Sequence, residues 1–415
     1  MSHYLKEKGL INKHQHGFLN GRSTTTNLLE SLSDWTVSID NKITQTVIYV
    51  DFTRAFDTVS RPKLLTKLKS YGVNGDLLSF IGDFLTDRTQ RTRVGNNLSK
   101  SIPLSSGVVQ GSCLGPLLFL LFINDLPSIF DSTITPKMYA DDLKMYAKIE
   151  SNNDCEHLQQ NIDRMVSWAR TWQLSISIKK CQSMNIGRQR QATTTYNTAY
   201  TIDSHTLPNM DSVSDLGVVV DRELTFSAHI SRLVHKAVIR SKLIKKSFAS
   251  RDINNLVKAF LVYVLPIVEY CSQVWSPHTV KDIELVESVQ RKFTKWLPGL
   301  RNKSYAERLS ITGLERLDVR RLRLDLTLTY KILFGLTCIQ SSDFFSRSPL
   351  QSTRGHEYKL FMPNCKTDCK KIFFSNRVLN AWNNLPADTT DFSSLTRFRS
   401  CLFKTDLTKY CKLLN

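Results

Sequence analysis

The sequence has no long apolar run. Its longest purely apolar stretches, residues 117–123 among them, are seven residues long, far short of the roughly twenty that a membrane-crossing helix needs. No apolar stretch follows the charged start Lys6-Glu7-Lys8, so no secretory leader is legible. No C-x-x-C pair occurs among the nine scattered cysteines, and their number is odd. They read as reduced thiols of the nucleus or cytoplasm, not as a disulfide framework. His356, Cys365 and Cys369 come nearest to a metal cluster, but a fourth ligand is missing and the spacing fits no common zinc pattern. Internal repeats and long low-complexity tracts are absent too. Acidic residues are scarce: 37 Asp plus Glu stand against 56 Lys plus Arg, a net charge of +19. Such an excess favours a polyanionic partner over a small neutral ligand. Nucleic acid suits it better than a membrane surface, because the basic residues come with no strongly amphipathic anchor.

What is there belongs to a globular protein. Of the 415 residues 41% are apolar and 22% charged, which implies a large core and two or three domains. The run TQTVIYV (residues 44–50) is rich in β-branched residues and ends at Asp51, so it reads as a buried strand delivering a carboxylate at its C-terminal end. Ser60 then caps a helix running to about Tyr71, with Leu64, Leu65 and Leu68 on one face and Gly72 as its stop. A second helix is expected over 76–85. The segment 106–124 has glycines at 107, 111 and 115 and an apolar run after Pro116, which suits a turn-rich entry into a buried helix. KMYADDLKMYA (137–147) reads as a hairpin with Asp141 and Asp142 at its turn. A helix over 153–171 follows, then strand-like QLSISI and SMNIG. From Asp221 the pattern is mostly helical. Between Leu224 and Gln340 stand 20 Lys plus Arg against 9 Asp plus Glu, an excess of 11. Lys236, Arg240, Lys242, Lys245 and Lys246 concentrate on one helical pattern, with Leu233, Ala237 and Ile244 facing inward. The last 75 residues space Trp382, Phe392, Phe398 and Phe403 through polar sequence, as a small appended domain would.

The chemistry rests on carboxylates. Two adjacent aspartates in a tight turn, beside a third at a strand end, repel one another unless cations bind between them. Mg²⁺ is hard and prefers carboxylate oxygens and substrate phosphates. Two such ions about 3.5–4 Å apart stabilise the attacking and leaving oxygens of an in-line phosphoryl displacement. A lone D-D pair is ordinarily a solvated turn, and a lone strand-terminal Asp is often a helix cap; the order of several segments together decides otherwise.

Those segments resemble the reverse transcriptases of non-LTR (LINE-type) retrotransposons, of the jockey-like kind. QHGFLNGRSTTTNLL (15–29) resembles the element before the first catalytic strand, and VIYVDFTRAFDTV (47–59) is similar to polymerase motif A. SGVVQGSCLGPLLFLLFINDLP (106–127) is similar to motif B and YADD (139–142) to motif C. WQLSISIKKCQSMNIGR (172–188) resembles motif D and DLGVVVDRELTF (215–226) the primer grip. LVYVLPIVEYCSQVW, LERLDVRRLRLDLTLTYKIL and FFSNRVLNAWNNLP resemble the thumb and C-terminal segments of these elements. YADD alone would carry little; the ordered set spans nearly the whole chain.

The resemblance implies an α+β right-hand polymerase. Residues 1–224 would be partial fingers and palm, 225–340 a helical basic thumb and 341–415 a C-terminal domain. It implies an RNA-directed DNA polymerase acting on an RNA template, a DNA primer and dNTP in the nucleus and cytoplasm. Asp51, Asp141 and Asp142 match the catalytic carboxylates that hold two Mg²⁺, with the carbonyl of Phe52 a further ligand. Phe56 matches the gate under the incoming sugar, where an aromatic face excludes a 2′-hydroxyl; the bland alternative is a core Phe. Gln110 and Gly111 match the pair beside nucleotide and template, glycine allowing close backbone approach. Lys180 matches the lysine at the leaving pyrophosphate; as a bare residue it is equally a solvated lysine. The basic helix Lys236, Arg240, Lys242, Lys245 and Lys246 would grip the template–primer backbone, or be a solvated face. The pattern departs at Val109, where proline is usual, and at Ser177, where asparagine is usual. The chain also starts only 14 residues before Gln15, without the earlier fingers segments or the endonuclease domain. The expectation is therefore an N-terminally truncated copy. Its rival is a catalytically dead relic that only binds nucleic acid.

Overall fold

A computed structural model describes residues 2–187, 199–348 and 355–411. The chain divides into two compact units, one of residues 1–27 and 43–211, the other of 28–42 and 212–415. The helix Thr24–Asp40 (α1) crosses that division after its first turn.

The first unit is built on a four-stranded antiparallel sheet. Its strands are Thr44–Val50 (β1), Thr135–Tyr139 (β2), Asp142–Ile149 (β3) and Gln182–Ile186 (β4), in the order β2-β3-β1-β4. The β-branched run forms β1 as the sequence suggests, and its central position explains why six of its seven residues are buried. Arg61–Ser70 (α2), Gly75–Leu85 (α3), Gly115–Ile123 (α4) and Asn152–Trp172 (α5) complete this unit's longer helices. Ile48 and Val50 of β1 and Leu143, Met145 and Ala147 of β3 share one core with Leu118, Phe119, Leu121 and Phe122 of α4 and Leu158, Ile162 and Met165 of α5. Helix α4 is apolar all round and seven of its nine residues are buried, as such a helix requires. Each fully buried Leu or Phe there is worth roughly 1.5–3 kcal/mol relative to exposure. Helix α5 begins in a reciprocal capping box between Ser151 and Asp154, which satisfies donors that the first turn leaves open.

Two local expectations need correcting. The turn between β2 and β3 consists of Ala140 and Asp141 alone, because Tyr139 pairs with Asp142. Asp142 is therefore the first residue of β3 and not a turn residue. QLSISI does not form a strand. Gln173 takes a left-handed conformation (φ 61°) to end α5. After it, among the described residues, only Ile176 bridges, to Phe52, before a short 3₁₀ turn over Ile178–Lys180. Alternation in sequence is not enough where no neighbouring strand offers a continuous ladder. Arg188, the last residue of the motif D-like segment, lies outside the described residues.

The second unit is mostly helical: Ser227–Ser247 (α6), Ile253–Tyr263 (α7), Val280–Trp296 (α8), Leu317–Leu333 (α9) and Leu395–Lys404 (α10). Phe260 and Phe293 stack at 4.5 Å to join α7 and α8. The C-terminal aromatics do not form a separate core. Phe398 stacks on Tyr330 of α9 at 4.7 Å, and Trp382 and Phe392 pack against Phe398 at 5.6 and 5.3 Å. Arg377 meets the buried Asp325 of α9 at 2.9 Å. The segments expected as thumb and C-terminal domain thus lie in one compact unit, which also takes in residues 28–42 and 212–224. His356 is occupied structurally: its Nε2 is 2.8 Å from the Trp382 carbonyl and its Nδ1 accepts from the Tyr358 N–H. This leaves it no role in a zinc cluster with Cys365 and Cys369.

Candidate catalytic carboxylate site

Asp51 follows β1 directly. In the β1–β3 register Val50 pairs with Leu143, so the next step along each strand sets Asp51 beside Asp142, with Asp141 in the turn just beyond. Asp141 is half-buried and Asp142 exposed. Burial pushes the Asp141 carboxyl above the usual carboxylate range, and the negative charge of Asp51 adds to this; the Asp141 N–H and the Lys180 ammonium pull the other way. The Asp51 carboxylate meets Lys180 Nζ at 3.1 Å through Oδ2. That oxygen is sealed from solvent and receives no well-formed hydrogen bond among the described residues.

Lys180 reaches this position because the segment before it is fastened to the end of β1. Ser177 N–H donates to the Asp51 carbonyl and Thr53 N–H to the Ser175 carbonyl, both at 2.8 Å. These two bonds flank the Phe52–Ile176 bridge. By the alternation of an antiparallel pair, the Phe52 carbonyl therefore points away from that segment. The Phe52 side chain is buried in the core.

On the other side of Asp51, Phe56 lies over a recess of about 290 Å³ lined also by Val108, Val109, Gln110, Gly111, Gly115 and Pro116. Its ring stacks on Phe119 at 4.0 Å with the planes 20° apart and meets the edge of Phe18 at 6.2 Å. Phe56 is thus half-buried, packed on one face and open to the recess. Gly111 has φ +76°, and a side chain there would meet nothing within 4 Å. Its glycine answers to backbone conformation and leaves free space for a ligand. The Gln110 carboxamide donates to Asp57 Oδ1 at 2.6 Å. Around it, Val108 N–H donates to the Phe56 carbonyl (3.0 Å) and Gly107 N–H to that of Val59 (2.8 Å). Arg61 donates to the carbonyls of Leu104, Ser106 and Gly107 at 2.7–3.2 Å. Phe56, Gln110 and Gly111 are therefore brought together, a short chain segment away from the carboxylates.

Sequence reasoning missed Asp57 as the partner of Gln110. It also missed Gln15 and Gly17, which lock onto the hairpin turn. The Gln15 carboxamide Oε1 accepts from Ala140 N–H and from Gly17 N–H, each at 2.8 Å, and its Nε2 donates to the Ala140 carbonyl at 3.3 Å. A side chain on Gly17 would lie 2.5 Å from Ala140 N. Arg22 donates to the carbonyls of Asn12, Lys13 and Gln15, which braces the loop before the clamp. The only trace of this in the sequence is a polar residue two before a glycine.

In the second unit, Lys236, Arg240, Lys242, Lys245 and Lys246 are all exposed on α6, while Leu233, Ala237 and Ile244 are buried. The helix therefore presents a basic exposed side, interrupted by the exposed Ile239 and Leu243.

Taken together, the clustered carboxylates, a lysine against one of them and a recess bordered by an aromatic ring make an arrangement that suits phosphoryl transfer assisted by divalent ions. Burial and the nearby Asp51 charge both disfavour the ionised Asp141 carboxyl, a setting whose carboxylate oxygens hard divalent ions fit. Residues 1–220 match the family profile of the reverse transcriptases (RNA-dependent DNA polymerases), and the chain belongs to that family. It is 25% identical over 304 residues to the probable RNA-directed DNA polymerase from transposon X-element of Drosophila melanogaster, covering 71% of this chain and 33% of the relative. It is 26% identical over 301 residues to the RNA-directed DNA polymerase from mobile element jockey of the same species, covering 70% and 32%. The chain thus spans about a third of the length of these curated relatives. A solved structure of telomerase from Candida tropicalis with a fragment of telomeric RNA matches at TM-score 0.43 and 7% identity, covering 97% of this chain and 55% of that one. Members of the reverse transcriptase family generally use a divalent metal. No helix among the described residues is long and apolar enough to cross a membrane.

Proposed function

We propose that this chain adds dNMP units to the 3′ end of a DNA primer on an RNA template, with two Mg²⁺ ions as cofactors. The observation that carries the reading is that Asp51, at the end of β1, comes beside the β2–β3 turn that carries Asp141 and leads into Asp142, with Lys180 3.1 Å from Asp51 Oδ2. Asp51, Asp141 and Asp142 are the residues that would hold the ions, helped by the Phe52 carbonyl. Bound there, the ions would supply charge stabilisation for the attacking and departing oxygens. The chain's own groups do the rest. Phe56 floors the recess and leaves no room for a 2′-hydroxyl. Gln110, steadied by Asp57, and Gly111 border the nucleotide. Lys180 stands ready to neutralise or protonate the leaving pyrophosphate. The basic face of α6 neutralises backbone phosphates of the template–primer. In this reading residues 1–224 act as partial fingers and palm, 225–340 as thumb and 341–415 as a C-terminal domain packed on the thumb helix α9.

The names of the Drosophila relatives support the reading: one is an RNA-directed DNA polymerase and the other a probable RNA-directed DNA polymerase, both of mobile elements. The test is extension of a labelled oligo(dT) primer on poly(A) by the purified chain. Extension that requires Mg²⁺, stops on chelation and prefers dTTP to UTP supports the proposal. Template binding without any extension refutes it and leaves a nucleic-acid-binding relic.

A further inference from the structure

Ala140 is a non-glycine residue held at φ +54°. The left-handed region is disfavoured for alanine because Cβ crowds the following carbonyl. Two-residue hairpin turns nevertheless require positive φ at their first position when the strands carry the normal twist. Ala140 is that first position, and the next two residues are Asp141 and Asp142. Something outside the turn must hold it.

Gln15 is placed to do so. It is 3% exposed, and its carboxamide answers both backbone groups of Ala140, as a neighbouring strand would. The amide oxygen is itself fixed by the Gly17 N–H. The backbone around it is pinned to the end of β2: Met138 N–H donates to the His14 carbonyl at 2.9 Å, and the Met138 carbonyl accepts from His16 N–H at 2.8 Å and from Asn27 Nδ2 at 3.0 Å. Gly17 lets the two chain segments approach to a distance that any Cβ would forbid. We propose that Gln15 is a positioning residue for the carboxylates: by clamping Ala140 it fixes the turn that carries Asp141 and Asp142, and so sets the affinity of that site for divalent ions. The inference deepens the polymerase reading and rests on it for its effect on activity. Its effect on metal binding is measured separately.

Loss of a group that orients metal-holding residues typically costs 10–100-fold in metal affinity or activity. The full chain, Gln15→Met and Gln15→Met with Ala140→Gly are compared by Mn²⁺ titration followed by electron paramagnetic resonance, and by the Mg²⁺ dependence of primer extension. Thermal unfolding and template affinity are measured alongside. Gln15→Met should bind Mn²⁺ about 10–100-fold more weakly and need correspondingly more Mg²⁺, with template affinity unchanged. Ala140→Gly should restore part of the loss, since glycine adopts the turn without the clamp. If Gln15→Met does not fold, Gly17→Ala, which presses a methyl against Ala140 N, carries the test with the same readouts and the same expected direction. Wild-type Mn²⁺ affinity in the folded variant, even with a lowered melting temperature, makes the role merely structural and overturns the inference. A wild-type chain that takes up Mn²⁺ but extends no primer overturns the polymerase reading alone, and the Mn²⁺ comparison still decides the clamp. A wild-type chain that takes up no Mn²⁺ overturns both.

Discussion

Replacing Phe56 by alanine should let ribonucleotides in. The ring is held by stacking on Phe119 at 4.0 Å and by the edge contact with Phe18 at 6.2 Å, so it cannot easily swing aside when a 2′-hydroxyl arrives. Its open face borders the recess of about 290 Å³ beside Gln110 and Gly111. Truncation to alanine enlarges that recess by most of a phenyl ring. Pocket discrimination by shape is commonly worth roughly 1–3 kcal/mol, so the preference for dTTP over UTP should fall about 10–200-fold. Because Phe56 is only half-buried, the variant should lose about 2 kcal/mol of stability, less than the roughly 3–5 kcal/mol typical of a fully buried Phe→Ala change. The assay is steady-state incorporation of dTTP and UTP on one template–primer, with kcat/KM measured for each. An unchanged ratio in a folded, active variant would refute the gate and leave Phe56 as packing for α4.

Replacing Lys242, Lys245 and Lys246 by alanine should flatten the salt dependence of template–primer binding by about 0.7–0.9 in log–log slope for each phosphate no longer neutralised, as filter binding across a salt series would record; an unchanged slope makes that face merely solvated. Lys67 is buried against the ring of Trp172 at 3.5 Å and ion-paired to Asp125. Burial outweighs the Asp125 attraction and lowers its pKa to about 8. Since the unfolded chain keeps the ordinary lysine value, it binds the extra proton between about pH 8 and 10.5, and folding gains stability as pH rises through that window. Relative to Lys67→Met, the wild-type protein should therefore gain about 1–2 kcal/mol between about pH 7 and 9.5 in urea unfolding; a difference that stays constant would contradict the account.

Much of the first unit was legible because its signals are local. A β-branched run ending in Asp51 makes β1. In the second unit, apolar residues around a basic face make α6. The carboxylate assignment came from the order of segments, not from any one of them. What escaped depends on partners distant in sequence. Gln15 and Ala140 are 125 residues apart, and Asp57 and Gln110 are 53 apart; neither pairing leaves a periodic trace. QLSISI misled because alternation predicts a strand only if a neighbour can pair along its length, and among the described residues Phe52 alone bridges to it. The C-terminal aromatics misled in the opposite sense. Their spacing suggests a separate small core, yet their stacking partner is Tyr330 of α9.

The central claim is that the strand-end carboxylates carry nucleotide addition. Asp141→Asn removes one negative charge from the site while keeping the shape of the turn that Gln15 clamps. The direct measurement is single-turnover primer extension on an RNA template by the wild-type chain and by this variant, at matched template occupancy. The account predicts that extension is abolished while template affinity and thermal unfolding stay close to wild type. Extension by Asp141→Asn at the wild-type rate would contradict it.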